Sequence, residues 1–311
     1  MSGIAFVFPG QGAQYVGMGQ DFYEQVPVSR EVMDTASQVT GLDLPALCFE
    51  ENEKIHITEY TQIGILSVSV AILRALESEG LSSCVNAGLS LGEYGALVAS
   101  GVISAEDAFA VVRKRGIYMQ EAVPQGGAMA AVLGCEAPVT ERICQETPGL
   151  VSVANYNCPG QIVITGVEAA VLTAAESLKK AGARRVLPLK VSGPFHSQML
   201  SGAGEQLARA LEQVPVQDFP VPYVSNVTAE YVRQPCEVKP LLVRQVSSPV
   251  RWQQSVEQMI SQGVDTFVEI GPGRTLTGFV KKIDRSVKAL HVEKLDDLEN
   301  VMRGVREDVG E

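Results

Sequence analysis

Basic residues are outnumbered. Twenty-five Lys and Arg stand against 36 Asp and Glu in 311 residues, a formal net charge of −11. That balance argues against non-specific attraction to nucleic acid or to an anionic membrane. Histidine is scarce, with only His56, His196 and His291, so any imidazole base is one of three. The six cysteines are Cys48, Cys84, Cys135, Cys144, Cys158 and Cys236. None forms a Cys-x-x-Cys pair and none clusters with histidine, which predicts no metal site and reduced thiols in a cytoplasmic protein. No apolar run reaches the roughly 18 residues that span a bilayer. Gly64 to Leu73 comes nearest and contains serines. A basic leader and cleavage pattern are missing, so no signal peptide is expected. No fixed-period repeat or low-complexity tract is present.

A hydrophobic fraction of 46% and a charged fraction of 20% are ordinary for a folded globular chain. Strand and helix signals alternate along it. Ile4 to Phe8 is a short apolar run stopped by Pro9-Gly10, the mark of a buried strand. Thr58 to Glu79 reads as a helix with Gly80 just past its end, Cys84 to Leu89 as a strand, and Leu91 to Ser100 as a helix. Ser104 caps a further helix that runs to Ala122. In the middle third, strands at Ala128–Leu133, Val151–Ala154, Ile162–Thr165 and Val186–Lys190 enclose helices at Val139–Thr147 and Glu168–Ala181. That β-α-β-β-α-β order is the ferredoxin-like one. It predicts an inserted subdomain, residues 126–192, in an α/β domain made of residues 1–125 and 193–311. Helices at Ser197–Gln213 and Trp252–Gln262 and strands near Tyr223 and at Thr266–Ile270 complete a mainly parallel sheet with helices on both faces. From Glu293 the chain is acid-rich and reads as a solvated terminal helix or tail.

Gly88-Leu89-Ser90-Leu91-Gly92 matches G-x-S-x-G between an expected strand and an expected helix. A sharp turn there lifts Ser90 out of the sheet, and the following helix aims its N–H groups and positive dipole end at the same place. The Leu91 N–H is then a natural donor to an oxyanion. A serine nucleophile needs a base. His196, in Ser192-Gly193-Pro194-Phe195-His196-Ser197, falls after a strand and at a helix start. His56 lies in a polar, surface-like stretch, and His291 in a late strand.

Arg115 shares a helix face with Ala108, Val111, Val112, Met119 and Ala122. An arginine aimed at a core needs an anionic partner. An internal salt bridge or a snorkelling side chain accounts for it as well as a clamp for a substrate carboxylate does. The loop Pro9-Gly10-Gln11-Gly12-Ala13-Gln14 lacks the lysine of a P-loop and the third glycine of a dinucleotide loop. A backbone N–H from Gln11, directed at an oxyanion, is the preferred reading. Gly271-Pro272-Gly273-Arg274 reads as a turn, with phosphate contact a weaker alternative.

Together these segments resemble the malonyl-CoA:acyl-carrier-protein transacylase family of bacterial fatty acid synthesis. The resemblance runs in order through Phe8–Gly12, Gly88–Glu93, Arg115-Gly116 with Met119-Gln120, Asn155–Gln161, Gly193–His196, Gln245 ahead of Ser248-Pro249-Val250, and Glu269–Gly273. It implies an α/β-hydrolase-like core with a ferredoxin-like subdomain. It implies that Ser90 carries the malonyl group as an ester, that His196 is base and then acid, and that Gln245 orients His196 through its backbone carbonyl. It further implies that Gln11 and Leu91 form the oxyanion hole and that Arg115 holds the malonyl carboxylate, with Phe195 and Asn157 also against substrate. Phe195 beside His196 resembles malonyl-selective members. Malonyl-CoA and acyl carrier protein would be the partners. No cofactor is implied beyond the phosphopantetheine that the carrier brings.

One departure is Leu89, where many members of that family have histidine. A trans-acting acyltransferase of a polyketide synthase would share the chemistry. A serine esterase or thioesterase would instead let water reach the ester, and a non-catalytic scaffold would form none. Acyl carrier proteins are generally acidic, so docking on this acidic chain calls for a local basic surface. Lys179, Lys180, Arg184 and Arg185 form one such cluster, and Lys281, Lys282 and Arg285 another.

Overall fold

The computed structural model describes residues 3–123, 125–189, 191 and 193–309, with backbone only for 306–309. The chain opens with β1 (Gly3–Phe8), α1 (Gln20–Gln25), α2 (Pro27–Thr40), α3 (Leu44–Phe49), α4 (Thr58–Ser78), β2 (Val85–Gly88), α5 (Gly92–Ala99) and α6 (Ala105–Ala122). Next come β3 (Gly127–Leu133), α7 (Ala137–Glu146), β4 (Val151–Cys158), β5 (Gln161–Val167), α8 (Glu168–Lys180) and β6 (Arg185–Pro188). It closes with α9 (Ser201–Leu211), β7 (Tyr223–Val224), β8 (Tyr231–Val232), α10 (Pro235–Gln245), α11 (Trp252–Ser261), β9 (Val264–Ile270), α12 (Thr275–Ile283), β10 (Lys288–Val292) and α13 (Leu295–Val309).

Two sheets result. The larger has strand order β10-β9-β1-β2-β7-β8, parallel except where β8 turns back on β7. β1 sits inside it. Phe6 and Phe8 face the core that holds α4, and Ala5 and Val7 face the core that holds Trp252 and Phe267. Burial on both faces explains the uninterrupted apolar run, since a solvated face would require alternation. The smaller sheet is antiparallel, in the order β4-β5-β3-β6. Ala130, Val132 and Ile164 pack on the α7 and α8 side chains Ile143, Ala170 and Ala174. Val250 N–H donates to Ala154, and Tyr156 N–H donates to Val250 (2.7 and 2.9 Å), which ties the small sheet to the stretch after α10.

Local signals hold at several ends. Ser104 Oγ accepts the Asp107 N–H and caps α6. Gly80 has φ 84° just past α4, and the Leu81 N–H reaches back to the Leu76 carbonyl. The strand expected over Val186–Lys190 is Arg185–Pro188, and Lys190 lies outside the described residues, as does Ser192 at the expected domain boundary. The helix expected from Ser197 begins as a 3-10 turn at Gln198–Leu200. Helices α1 to α3 were not anticipated, because two span only six residues and periodicity needs about three turns. The terminal segment is a helix, but not a fully solvated one. Val301 and Val305 are buried, and Leu295, Leu298 and Met302 pack beside them.

α4 is long and apolar enough to cross a membrane by length and composition, yet 83% of that apolar window is buried inside the protein. All six cysteines are free thiols.

Candidate active site

β1 and β2 run in parallel side by side and end together, Phe8 beside Gly88. Ligands of open α/β sheets lie at such carboxyl ends. Here the ends open into a cleft of about 870 Å³. Its walls come from the loop after β1, the turn after β2, α6, the inner face of the small sheet and α12.

The turn after β2 is the expected elbow. Ser90 has φ 54°, a left-handed conformation that side chains rarely adopt. A Cβ on Gly92 would lie 2.0 Å from the Phe8 carbonyl oxygen, and one on Gly88 would lie 1.9 Å from the Gly92 carbonyl carbon. The two glycines therefore let the helix start press against β1. Asn226, from the loop after β7, holds the turn. Its Oδ1 accepts the Ser90 N–H at 2.7 Å and its Nδ2 donates to the Gly88 carbonyl at 2.6 Å.

His196 lies on the loop before α9 at φ 62° and is 4% exposed. Its Nε2 is 2.7 Å from Ser90 Oγ, and its Nδ1 is 2.9 Å from the Gln245 backbone oxygen. A carbonyl only accepts, so Nδ1 carries the proton and Nε2 is left to accept from the serine hydroxyl. Burial, and then the Arg115 charge, push the imidazole down to about 4, so it is a neutral base at neutral pH.

Arg115 is 1% exposed on the cleft face of α6. Its Nη1 donates to Gln62 Oε1 at 2.6 Å, and its Nη2 donates to Gln245 Oε1 at 2.9 Å and reaches Ser90 Oγ at 3.3 Å. The cation also lies over the Tyr94 ring, 5.6 Å from its centroid. Among the described residues no carboxylate pairs with it directly, whereas Arg113 on the same helix pairs with Glu59 at 2.8 Å. Arg115 Nε has no partner there either. An internal salt bridge therefore does not explain this arginine. A buried cation held by neutral amides beside a hydroxyl is a seat for an anion.

The other expected residues also meet here. Gln11 lines the cleft, its side chain donating to Thr58 Oγ1 at 3.1 Å. Among the described residues neither the Gln11 nor the Leu91 amide N–H has an acceptor. Both residues line the cleft together with Ser90. Phe195 and Asn157 line the cleft, and Asn157 Oδ1 is buried without a partner among the described residues. Leu89 is half-buried at the cleft and packs against the core that holds Ala5 and Val7. His56 is exposed at the cleft rim, while His291 is on β10, 3.8 Å from Asp297. The Gly271–Gly273 turn packs against Pro9, Ser69 and Ala13. Among the described residues no group of three His, Cys, Asp or Glu side chains gathers to hold a metal.

Gln62 and Asn226 were not singled out from sequence, and Glu93 entered only as the end of the Gly88–Glu93 segment, with no role. Their partners lie between 53 and 152 positions away in the chain. Only Glu93 left a signal, as a lone acid in the otherwise apolar helix GEYGALVA.

A serine–histidine pair at the end of a parallel sheet, with two amide donors and a buried cation, is the outline of a group-transfer site for acyl esters. The chain belongs to the acyl transferase domain family, which it matches over residues 5–300. Within that family it is similar to malonyl CoA-acyl carrier protein transacylases. It is 44% identical to the malonyl CoA-acyl carrier protein transacylase of Bacillus subtilis (strain 168), over 99% of each chain. It is 50% identical to the solved structure of MCAT from Streptococcus pneumoniae, with a TM-score of 0.94 over 97% of this chain and 99% of that one. The malonyl CoA-acyl carrier protein transacylase structure from Clostridium perfringens gives a TM-score of 0.95 at 44% identity, over 98% of each. A solved complex of a malonyl-transacylase with a type II PKS acyl-carrier protein is also similar, at 40% identity and a TM-score of 0.94, over 97% of this chain and 100% of that one.

Proposed function

We propose that this acyltransferase moves a malonyl group from malonyl-CoA to the phosphopantetheine thiol of an acyl carrier protein, in the cytoplasm and in service of fatty acid synthesis. The observation that carries this reading is Arg115, buried, without a carboxylate partner and 3.3 Å from the Ser90 hydroxyl. A cation there favours an acyl group that has a free carboxylate of its own. Ser90 gives its proton to His196 Nε2 and attacks the thioester carbon. The Gln11 and Leu91 N–H groups take the oxyanion. The C–S bond breaks as His196 returns the proton to the CoA sulfur. The malonyl ester remains on Ser90 until the carrier thiol, deprotonated by His196, attacks it; the ester C–O bond then breaks as His196 returns that proton to Ser90 Oγ, which closes the ping-pong cycle. The Gln245 carbonyl takes the place that a triad acid has in serine hydrolases. These steps call on side chains, backbone N–H groups and the carrier's own thiol, with no further cofactor or metal.

The same reading covers the architecture. Residues 1–125 and 193–311 form an α/β-hydrolase-like catalytic domain and residues 126–192 a ferredoxin-like subdomain. It is supported by the segment order β3-α7-β4-β5-α8-β6, the antiparallel order β4-β5-β3-β6 and the placing of α7 and α8 on one face.

Intact-protein mass after brief mixing with malonyl-CoA or acetyl-CoA tests the function. One malonyl adduct is expected, much weaker with acetyl-CoA and absent in Ser90→Ala. Arg115→Ala is expected to lose the malonyl preference and to keep acetyl transfer. A paired charged hydrogen bond can discriminate by roughly a hundredfold. Equal loss of both substrates would sink the clamp. CoA release without an adduct would instead indicate hydrolysis.

A further inference from the structure

The groups behind Ser90 converge on one carboxylate. Glu93 lies in the first turn of α5, three residues past the nucleophile, and is fully buried. Its Oε2 accepts the Gln245 side-chain N–H at 2.6 Å and the Asn226 amide N–H at 3.3 Å. Both donors also hold the site. Gln245 Nε2 donates to the Ser90 carbonyl at 2.9 Å, its Oε1 accepts from Arg115, and its backbone oxygen accepts from His196. Asn226 accepts the Ser90 N–H. A glutamine amide can present either end to its surroundings. Here a carboxylate on one side and a donor-only guanidinium on the other leave Gln245 a single orientation.

We propose that Glu93 is a positioning residue for acyl transfer. Its carboxylate locks the Gln245 amide between Ser90 and Arg115 and supplies, one side chain removed from His196, the negative charge that the Ser90–His196 pair otherwise lacks. The inference rests on the acyl-transfer reading given above. In the transition state His196 becomes an imidazolium next to the Arg115 cation, and an anion behind Gln245 offsets that positive charge. The groups facing Glu93 are Arg115 from α6, Tyr94 on its own helix, Tyr223 on β7, Ser225 and Asn226 after β7, and Gln245 on α10, with His196 behind it. Burial raises both tyrosines and lowers His196, so Arg115 is the one charged neighbour near neutrality. Among the described residues Glu93 Oε1 has no partner, so a proton can settle there without breaking the bonds made by Oε2. Desolvation raises this acid to about 7. Its charge therefore comes and goes in the working range while its hydrogen bonds stay.

The test is the single-turnover rate of Ser90 acylation by malonyl-CoA between about pH 5 and 9, read by intact mass. The unaltered protein is expected to speed up with rising pH, with an inflection near 7. Glu93→Gln keeps an oxygen for Gln245 but removes the charge. It is expected to be about tenfold slower at about pH 8, the scale of one charge-assisted hydrogen bond, and to lose that inflection. Glu93→Asp keeps the charge at a greater distance and is expected to be slower with the inflection retained. A Glu93→Gln protein that acylates with the unaltered pH profile overturns the proposal and leaves Glu93 a mere filler. If that variant does not fold, loss of the inflection in Glu93→Asp, or its absence from the unaltered protein, overturns it equally. No adduct on the unaltered protein at any pH overturns the acyl-transfer reading and this inference with it.

Discussion

Two buried titratable side chains, His196 in the cleft and Glu93 behind Ser90, are shifted in opposite directions, and their effects on stability oppose each other. Burial lowers His196 from 6.5 to about 4 and raises Glu93 from 4.5 to about 7. Between pH 4 and 6.5 the unfolded chain binds a proton at His196 that the folded protein does not, so this residue makes stability rise with pH. Between pH 4.5 and 7 the folded protein holds a proton on Glu93 that the unfolded chain has lost, so this residue makes stability fall with pH. In the shared window the two slopes offset. Glu93→Gln should uncover the histidine. Its unfolding free energy, measured in urea, should gain about 1.4 kcal/mol per pH unit relative to the unaltered protein over that window. Parallel curves for the two proteins would show that Glu93 titrates outside this window. The sequence made His196 legible by scarcity and Arg115 by its place on an apolar helix face. It could not show that Arg115 lacks a carboxylate partner, or that Gln62, Glu93 and Asn226 meet behind Ser90. Those facts depend on strands and helices far apart in the chain coming to one place.

At the scale of elements, the strand–turn–helix around Ser90 carries the geometry. Ser90 at φ 54° is a strained position, of order 1–3 kcal/mol, held by Asn226 on one side and by close contact between α5 and β1 on the other. Gly92→Ala would drive a methyl into the Phe8 carbonyl, and no flexible side chain is there to yield. It is expected to cost about 1–3 kcal/mol or more in denaturant unfolding and to abolish Ser90 acylation. Gly202→Ala, within α9 where nothing approaches within 4 Å, is the matched control. It is expected to leave acylation intact and to add up to about 1 kcal/mol of stability. An active Gly92→Ala of normal stability would show that the elbow can relax. This element was readable because glycine, serine and glycine at fixed spacing report a backbone path directly. The terminal helix α13 was misread for the opposite reason. Its acid-rich composition hid a stripe at Leu295, Leu298, Val301, Met302 and Val305 that packs against the core. Composition averages over all faces of a helix, whereas packing uses one.

On the scale of the whole molecule, the cleft lies between the two sheets, and the small sheet decides which basic residues are near it. Met129, Ala131 and Val163 line the cleft, while the alternate residues Ala130, Val132 and Ile164 pack on α7 and α8. Lys179 and Lys180, at the end of α8, therefore belong to the layer behind the sheet. Arg185 pairs with Leu133, which pairs with Gln161, and cross-strand partners share a face, so Arg185 is on the cleft side. Lys282 reaches the same row, its Nζ donating to Gln161 Oε1 at 3.4 Å, and α12 also brings Thr275 and Phe279 to the cleft. One basic cluster of the sequence thus divides, and Arg185 joins Lys282 on the cleft side. With a net charge of −11, an acidic carrier is repelled by the molecule at long range, and local cations at the mouth must offset this. Charge reversal at Arg185 and Lys282 together is expected to raise the carrier concentration for half-maximal transfer by about fivefold, since single exposed charges contribute roughly 0.2–1 kcal/mol each. It should also weaken the salt dependence of transfer. Reversal at Lys179 and Lys180 is expected to change neither. Carrier-dependent transfer from the malonyl-serine enzyme, measured at two salt concentrations, separates the two faces, because the acyl group is already loaded and CoA binding no longer contributes. Equal effects from both reversals would mean that the carrier responds to the net charge of the protein and not to the cations at the mouth.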